Sequence, residues 1–186
     1  MLRSLAVDPG QWRIYKELAN IYNGRNELLS ALEISEKGHN KFPGNFILDI
    51  GYSKALTNTG HYEKSLEVIT NTNILPYEGE RSAQRIFVYN CLMLAFDSYK
   101  KGDYDSALDY IDKSETYPEN LGSGSPRFPD YRNQNILRAR IYNKTGEGEK
   151  AGKANDEIQA YTRKFGEMRG GSIFERGLTD TYVKPF

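Results

Sequence analysis

Lys16 and Asn20 are the two residues of this chain whose types and spacing point most directly to a binding chemistry. Because they lie four residues apart, a helix would place them on the same face, one turn above the other. An ammonium group and a side-chain amide in that arrangement can hold a carboxylate through charge-assisted hydrogen bonds. The pair has two interpretations: a place that binds a carboxylate of a peptide, and an ordinary solvated polar face of the helix, which is the simpler one.

Residues of similar character recur at helical spacing in three later segments. A face with aromatic rings among Lys and Arg side chains suits an acidic or amphipathic peptide segment. From these positions we predict a partner-binding surface formed by Lys16, Asn20, Lys54, Tyr89, Met93, Phe96 and Arg140. The same rows also contain Arg13, Ile47, Ile50, Lys100 and Asn133. An alternative stays open, in which Tyr89 and Phe96 pack against the chain's long insertions or its own tail.

Residues that usually carry catalysis or bind metals are sparse. His39 and His61 are the only histidines, and neither has a second metal ligand one helical turn away. Cys91, the single cysteine, lies on a packed helical segment, where a thiol behaves as a small buried apolar group. We therefore predict no catalytic, cofactor-binding or metal-binding residue, no cofactor, and a function other than that of an enzyme.

Two further patterns have structural interpretations. An acidic row begins at Asp103, but a calcium loop starting there would need Gly and Glu where Leu108 and Ser114 stand. The row is typical of a helix that begins with acidic residues and continues as a solvated face. The Gly122-Ser-Gly124 run follows no predicted strand and precedes no Lys-Ser or Lys-Thr pair, so we interpret it as a flexible joint.

Composition excludes several classes of partner. Twenty-five Lys and Arg residues balance 25 Asp and Glu residues, and the basic residues are dispersed, which argues against nucleic acid as a partner. The chain has no run of about 18 consecutive apolar residues, the length that a membrane-spanning helix requires. A single cysteine forms no internal disulfide, which favours a reducing compartment such as the cytoplasm.

The elements that must position the candidate residues are helical hairpins. Two segments share one pattern, Tyr62-x-x-Ser65-Leu66-x-x-Ile69 and Tyr104-x-x-Ala107-Leu108-x-x-Ile111, each with a glycine two residues before the tyrosine. The segment from Leu28 through Ala31 reads the same way, with Asn26 in the place of the glycine. A small residue held between large ones lets neighbouring helices approach closely, so the pattern predicts stacked helical pairs.

The spacing of the small residues gives the repeat length. Ala31 and Ser65 are 34 residues apart, and the next intervals, to Ala107 and then to Ala151, are 42 and 44 residues. The longer intervals contain insertions rich in Pro, Gly and Asn between the hairpins. Helices are predicted at 12–24, 27–40, 46–59, 62–72, 82–101, 104–116, 131–145 and 147–165.

These runs resemble tetratricopeptide repeats, and the resemblance is carried by Lys16-Glu-Leu-Ala-Asn-Ile-Tyr, Gly60-His-Tyr-Glu-Lys-Ser-Leu and Gly102-Asp-Tyr-Asp-Ser-Ala-Leu. It implies an all-α fold, a right-handed α–α superhelix, or solenoid, of tetratricopeptide-type hairpins. We predict an array over 1–165, with units at about 12–45, 46–79, 82–118 and 131–165. Residues 1–8 would be the remnant of a preceding repeat, and 166–186 a tail.

Members of this family that clasp the terminal carboxylate of chaperone tails begin with the Lys-x-x-x-Asn arrangement of Lys16 and Asn20. A complete clamp needs an Asn on the next first helix and a Lys and Arg pair on the third. Here Gly51, Tyr89 and Met93 occupy those places. The clamp is incomplete, which disfavours a receptor for chaperone tails.

A second resemblance concerns one short segment. Tyr117-Pro-Glu-Asn-Leu-Gly-Ser-Gly-Ser-Pro is similar to a run in large bacterial proteins of an uncharacterised family, which place a galactose-mutarotase-like β-sandwich before a tetratricopeptide array. We favour a scaffold that binds a peptide, a tail or a neighbouring domain on its concave face. The chain's own tail, with Tyr182, Val183 and Phe186, is one candidate ligand. The alternative function is an accessory part of a carbohydrate-active protein whose active domain lies upstream.

Overall fold

Helical periodicity governs the whole described part of the chain. A computed structural model describes residues 10–74, 81–168 and 171–176. Its helices are α1 Trp12–Gly24, α2 Leu28–Lys41, α3 Phe46–Asn58, α4 Tyr62–Thr70, α5 Ser82–Lys101, α6 Tyr104–Ser114, α7 Arg132–Thr145, α8 Gly148–Phe165 and α9 Ile173–Arg176, with a 3₁₀ turn at Glu119–Leu121. No strand occurs in these ranges, and consecutive helices pack as hairpins. The predicted fold class, an all-α array of tetratricopeptide-type hairpins, is confirmed.

The turns inside the hairpins share one backbone geometry. Gly60, Gly102 and Gly146 have φ of 81°, 81° and 80°, and Asn26 adopts φ 59° at the equivalent place. The residue after each of them donates its main-chain N–H to the carbonyl five residues earlier, at 2.8–3.0 Å. This bond closes the helix end in the left-handed geometry that glycine favours and asparagine tolerates. Asn26 therefore has the same left-handed backbone conformation as the turn glycines with which the sequence pattern aligns it.

Two compact units divide the chain. The described part of the first comprises residues 10–74, 81–90 and 118–123. Its apolar cluster joins Tyr15 and Leu18 of α1, Ile34 of α2 and Leu48 of α3. Helix α1 contacts both α2 and α3, so first helices lie side by side here. An added Cβ on Gly38 would lie 2.9 Å from Tyr15 Cβ, which means that only glycine permits this approach of α2 to α1.

The first unit also includes residues from much later in the sequence. The Ile74 N–H donates to the Asn120 carbonyl at 2.8 Å. Asn120 Nδ2 donates to the carbonyls of Thr70 and Thr72, each at 2.9 Å. Leu121 is only 1% exposed. The bonds from Asn120 satisfy carbonyls that the end of α4 leaves without a helical partner.

The described part of the second unit comprises residues 91–117, 124–168 and 171–176, so α5 begins in one unit and ends in the other. Its core consists of five residues without solvent exposure: Ala95, Ala107, Ile111, Leu137 and Ile141. Asp103 Oδ1 accepts a hydrogen bond from the Ser106 N–H at 3.1 Å, which caps the start of α6. None of the helices in the described ranges combines the length and apolar character needed to cross a bilayer.

Candidate interaction surfaces

Three of the predicted binding residues border one cavity in the first unit. Lys16 and Asn20 of α1 and Lys54 of α3 line a cavity of about 40 Å³, which we call the α1–α3 pocket. The rest of its wall consists of Tyr15, Ala19, Asn23, Ser35, Ile47, Leu48 and Gly51. Gly51 stands where a complete carboxylate clamp would carry Asn, so the pocket coincides with the place suggested by the sequence.

Polar groups with unused hydrogen-bonding capacity face this pocket. The Ser35 side chain is buried, and its Oγ has no hydrogen-bond partner among the described residues. The same holds for Asn23 Oδ1. A buried polar atom without a partner is costly, and a bound polar group could satisfy it. The pocket therefore offers both charge and hydrogen-bonding groups to an occupant.

The two lysines of the pocket differ in their surroundings. Lys16 is about half exposed, and its nearest carboxylate oxygen, Glu17 Oε1, lies 3.9 Å from its Nζ. Lys54 is half-buried, and this burial lowers the pKa of its ammonium group because desolvation penalises the charged form. A partly desolvated ammonium attracts an anion more strongly than one surrounded by water. Lys54 therefore suits an anionic ligand better than an ordinary surface lysine does.

The other residues of the predicted surface have different environments. Tyr89 is 4% exposed, and its ring packs edge-on against Tyr62 with the centroids 6.2 Å apart. Burial raises the pKa of the Tyr89 hydroxyl. Met93 is half-buried on α5. Tyr89 thus supports the packing of the first unit in this structure, and partner contact by either residue stays a prediction.

Phe96 and Arg140 lie in the second unit against the chain's own later residues. The Phe96 and Phe174 rings are 5.1 Å apart, and the Arg140 guanidinium lies 5.9 Å from the Phe174 ring centre. Asn133 Oδ1 accepts hydrogen bonds from the Ile173 N–H at 3.2 Å and from Ser172 Oγ at 3.3 Å. We call the place formed by Phe96, Asn133 and Arg140 the Phe174 slot.

The occupied Phe174 slot bears on the alternative that the sequence left open. Phe96 does contact residues from the predicted tail, and the contact is made by Phe174. The suggested anchors Tyr182, Val183 and Phe186 lie outside the described residues. Burial of a phenylalanine stabilises by about 1.5–3 kcal/mol and each hydrogen bond by about 0.5–1.5 kcal/mol. Ordering a residue's backbone costs about 1–2 kcal/mol, so the docked segment Ser172–Phe174 is favoured by no more than a few kcal/mol.

A larger cleft lies elsewhere in the first unit, and sequence reasoning did not find it. It has a volume of about 650 Å³, and its wall includes Glu36, His39, Asp49, Tyr52 and Lys64. His39 Nδ1 lies 2.6 Å from Asp49 Oδ1, and the Tyr52 hydroxyl donates to Glu36 Oε1 at 2.8 Å. The only sequence signal was His39 near a helix end, since its partner comes ten residues later, across a turn.

The polar groups of this cleft are largely paired with one another. The hydrogen bond from Tyr52 and then that from Lys64 lower the pKa of Glu36. Lys64 Nζ lies 3.3 Å from Glu36 Oε1, and the His39 ring stacks on Tyr52 with a centroid distance of 4.9 Å. Because these groups already satisfy one another, the cleft is better explained as a structural contact among α2, α3 and α4 than as a binding site.

Within the described ranges, Cys91 meets the requirements of neither a nucleophilic site nor a metal site. Cys91 has no solvent exposure, and burial raises the pKa of its thiol to about 12. At that pKa almost no nucleophilic thiolate exists at neutral pH. Within residues 10–74, 81–168 and 171–176, no three His, Cys, Asp or Glu side chains gather as they would around a metal ion.

Comparisons with known proteins add a structural likeness. No protein-family model matches the chain, and no curated protein does. Among solved structures, the chain is similar to the crystal structure of PilW, described as a widely conserved type IV pilus biogenesis factor. The TM-score is 0.47 at 16% sequence identity, over 84% of this chain and 64% of that one. The chain thus spans less than two thirds of that structure, and we draw no functional argument from a likeness at this level.

Proposed function

We propose that this chain is a non-catalytic interaction module whose first helices bind a peptide, a tail or a neighbouring domain. The observation that supports this most is the α1–α3 pocket, where Lys16, Asn20 and Lys54 border the same cavity. A cavity of about 40 Å³ takes one functional group, such as a carboxylate, and the rest of the ligand would lie along the helix face. Met93, Phe96 and Arg140 are proposed as partner contacts in the second unit. Tyr89 is proposed to support the binding face of the first unit through its packing.

The chemistry of the pocket favours an acidic or amphipathic segment as the ligand. Two ammonium groups supply positive charge, and the Asn20 amide and Ser35 hydroxyl can hydrogen-bond to carboxylate oxygens. A hydrogen bond to a charged group contributes about 1.5–3 kcal/mol, so one seated carboxylate gives measurable affinity. The apolar part of the wall, including Ile47 and Leu48, would contact the aliphatic portion of an acidic side chain.

A selection from random peptides tests this proposal directly. A peptide library displayed on phage is panned against the immobilised full chain, and the affinities of enriched peptides are measured by fluorescence anisotropy. We expect enrichment of peptides that carry Asp, Glu or a free carboxyl terminus beside an apolar residue. The double variant Lys16→Ala/Lys54→Ala should bind them at least about tenfold more weakly, which corresponds to about 1.4 kcal/mol.

The matched control is Lys153→Ala, because Lys153 is an exposed lysine of α8 outside the pocket. It should leave the affinity unchanged, although it removes one positive charge. Affinity for the wild type should also fall as salt rises, since salt screens exposed charges. If enriched peptides show no acidic bias, or bind the double variant as well as the wild type, the proposal is wrong.

A further inference from the structure

The Phe174 slot is already occupied by a short segment of the same chain. Residues Ser172–Phe174 lie against Phe96 of α5 and against Asn133 and Arg140 of α7. These three positions belong to the rows of first-helix residues from which the binding surface was predicted. The structure therefore places a peptide-like segment on residues of that surface.

The contacts in the slot are of kinds that recognise a short peptide segment. Asn133 Oδ1 accepts the main-chain N–H of Ile173 at 3.2 Å, a bond that any residue except proline can donate. The Phe174 ring contacts both the Phe96 ring and the Arg140 guanidinium, so an aromatic side chain gains ring packing and a cation–π contact. The Ser172 hydroxyl contacts Asn133 and accepts the N–H of Phe174 at 3.3 Å.

The segment has little structure of its own to hold it in place. Helix α9 has four residues, Ile173–Arg176, and a helix this short is unstable without tertiary contacts. Gly171, with φ 76°, immediately precedes the segment and adds backbone freedom in any undocked state. A competing peptide that makes the same contacts could therefore replace the segment.

We propose that residues 172–174 are an internal competitor for a protein partner that presents a hydroxyl–apolar–aromatic segment, with its aromatic side chain in place of Phe174. This inference rests on the proposed function as an interaction module, and it concerns a different site from the α1–α3 pocket. The partner's aromatic ring packs on Phe96 and Arg140, and its preceding main-chain N–H donates to Asn133. Release of the chain's own segment accompanies binding.

A labelled peptide with the sequence of residues 171–176, Gly-Ser-Ile-Phe-Glu-Arg, tests this proposal against the full chain. Fluorescence anisotropy measures its affinity for the wild type, for Phe174→Ala and for Phe96→Ala/Phe174→Ala. We expect Phe174→Ala to bind it at least about tenfold more tightly than the wild type, because the internal competitor is weakened. The double variant should lose this gain, and a peptide with Ala in place of Phe should not bind.

A second variant is included in case Phe174→Ala does not fold. Ile173→Pro keeps Phe174 but removes the N–H that Asn133 accepts, and proline is tolerated at the first position of a helix. It should also bind the peptide more tightly than the wild type does. Circular dichroism must show wild-type helix content for each variant used. Either of the two slot-opening variants, Phe174→Ala or Ile173→Pro, is sufficient for the test if it folds.

The possible outcomes separate the proposal from its alternatives. Equal affinity of the wild type and the folded slot-opening variants overturns it, as does equal binding of the alanine peptide. A wild-type dimer that Phe174→Ala dissociates in analytical ultracentrifugation also overturns it, because the segment would then fill the slot of a second copy. The variant Lys16→Ala/Lys54→Ala should bind the 171–176 peptide like the wild type, so failure of the α1–α3 pocket is recognised separately.

Discussion

Asn90 Nδ2 donates a hydrogen bond to Ser65 Oγ at 2.7 Å, between two residues without any solvent exposure. Ser65 Oγ also donates to the Ser53 carbonyl at 2.7 Å, and Thr57 Oγ1 donates to Asn90 Oδ1 at 3.0 Å. These four residues form a buried polar network that joins α3, α4 and the first half of α5. A network of this kind stabilises a fold only while every member is satisfied.

Replacement of Asn90 by Ala should therefore destabilise the chain by about 2–4 kcal/mol, since it leaves buried hydroxyls unpaired and opens a cavity. Urea unfolding followed by circular dichroism measures the change. In the double variant Ser65→Ala/Asn90→Ala, the loss should be smaller than the sum of the single losses by about 1 kcal/mol or more. Strictly additive losses would show that the two side chains are not coupled.

Gly38→Ala should destabilise the chain, although alanine is the better helix former by about 1 kcal/mol. The new Cβ would lie 2.9 Å from Tyr15 Cβ, which is too close for two carbons that are not bonded to each other, so α1 and α2 must move apart. Overpacking of this kind costs about 1–3 kcal/mol. Gly152→Ala is the matched control, because a Cβ there meets nothing within 4 Å; it should stabilise by about 0.5–1 kcal/mol in thermal unfolding.

Tyr52→Phe should raise the pKa of Glu36, since the Tyr52 hydroxyl is the main cause that lowers it. A lowered carboxyl pKa stabilises the fold above the ordinary value of 4.5, and this contribution is lost as pH falls through the folded pKa. The stability difference between wild type and variant should thus be full above pH 4.5 and shrink below it. In a Glu36→Gln background, the pH dependence of that difference should vanish; if it persists, another group is responsible.

Lys54→Met should stabilise the chain at neutral pH and weaken its binding of acidic peptides. Burial lowers the pKa of Lys54, so its charge is penalised in the folded state. We expect a modest gain in the free energy of unfolding, because the substitution removes a charge that is costly in the folded state. The penalty disappears as pH rises from the folded pKa to the ordinary 10.5, so urea unfolding should show a smaller gain at pH 9.5 than at pH 7. A loss of stability would contradict this reasoning.

The Cys91 thiol should react with Ellman's reagent only when the chain opens. With a pKa of about 12, its thiolate fraction at pH 8 is about 10⁻⁴, against about one quarter for an unfolded cysteine. Labelling of the folded chain should therefore be about a thousandfold slower than labelling in 6 M urea, before its burial slows it further. The increase in absorbance over time measures both rates. Fast labelling of the folded chain would show that Cys91 is accessible at the surface.

Local sequence patterns were sufficient to predict the helices and their packing faces. All eight predicted helices are present, with ends that differ by at most two residues from those observed. The small residues that defined the period, Ala31, Ser65, Ala107 and Ala151, are buried, with at most 3% exposure. Such features depend on residues three or four positions apart, so they can be read from one segment at a time.

Contacts between distant segments were not predictable in the same way. The Ser65–Asn90 bond joins residues 25 positions apart, and the Gly38–Tyr15 approach depends on the register of two helices. For the candidate surfaces, helical spacing placed Phe96, Asn133 and Arg140 in the predicted rows. The predicted tail ligand, however, was Tyr182, Val183 and Phe186, and not Phe174. Nothing local marks Phe174, because a single helical turn has no periodicity of its own. The upstream sandwich domain suggested by residues 117–126 stays a prediction.

The bond between Ile74 and Asn120 has a consequence for biosynthesis. The end of α4 receives hydrogen bonds from Asn120, which lies 50 positions after Thr70, the carbonyl of which it caps. A ribosome that releases about 5–20 residues each second needs several seconds to deliver Asn120. Until then the nascent chain exposes the end of α4, so a pause in translation after α4 should prolong the period in which chaperones or proteases can reach it.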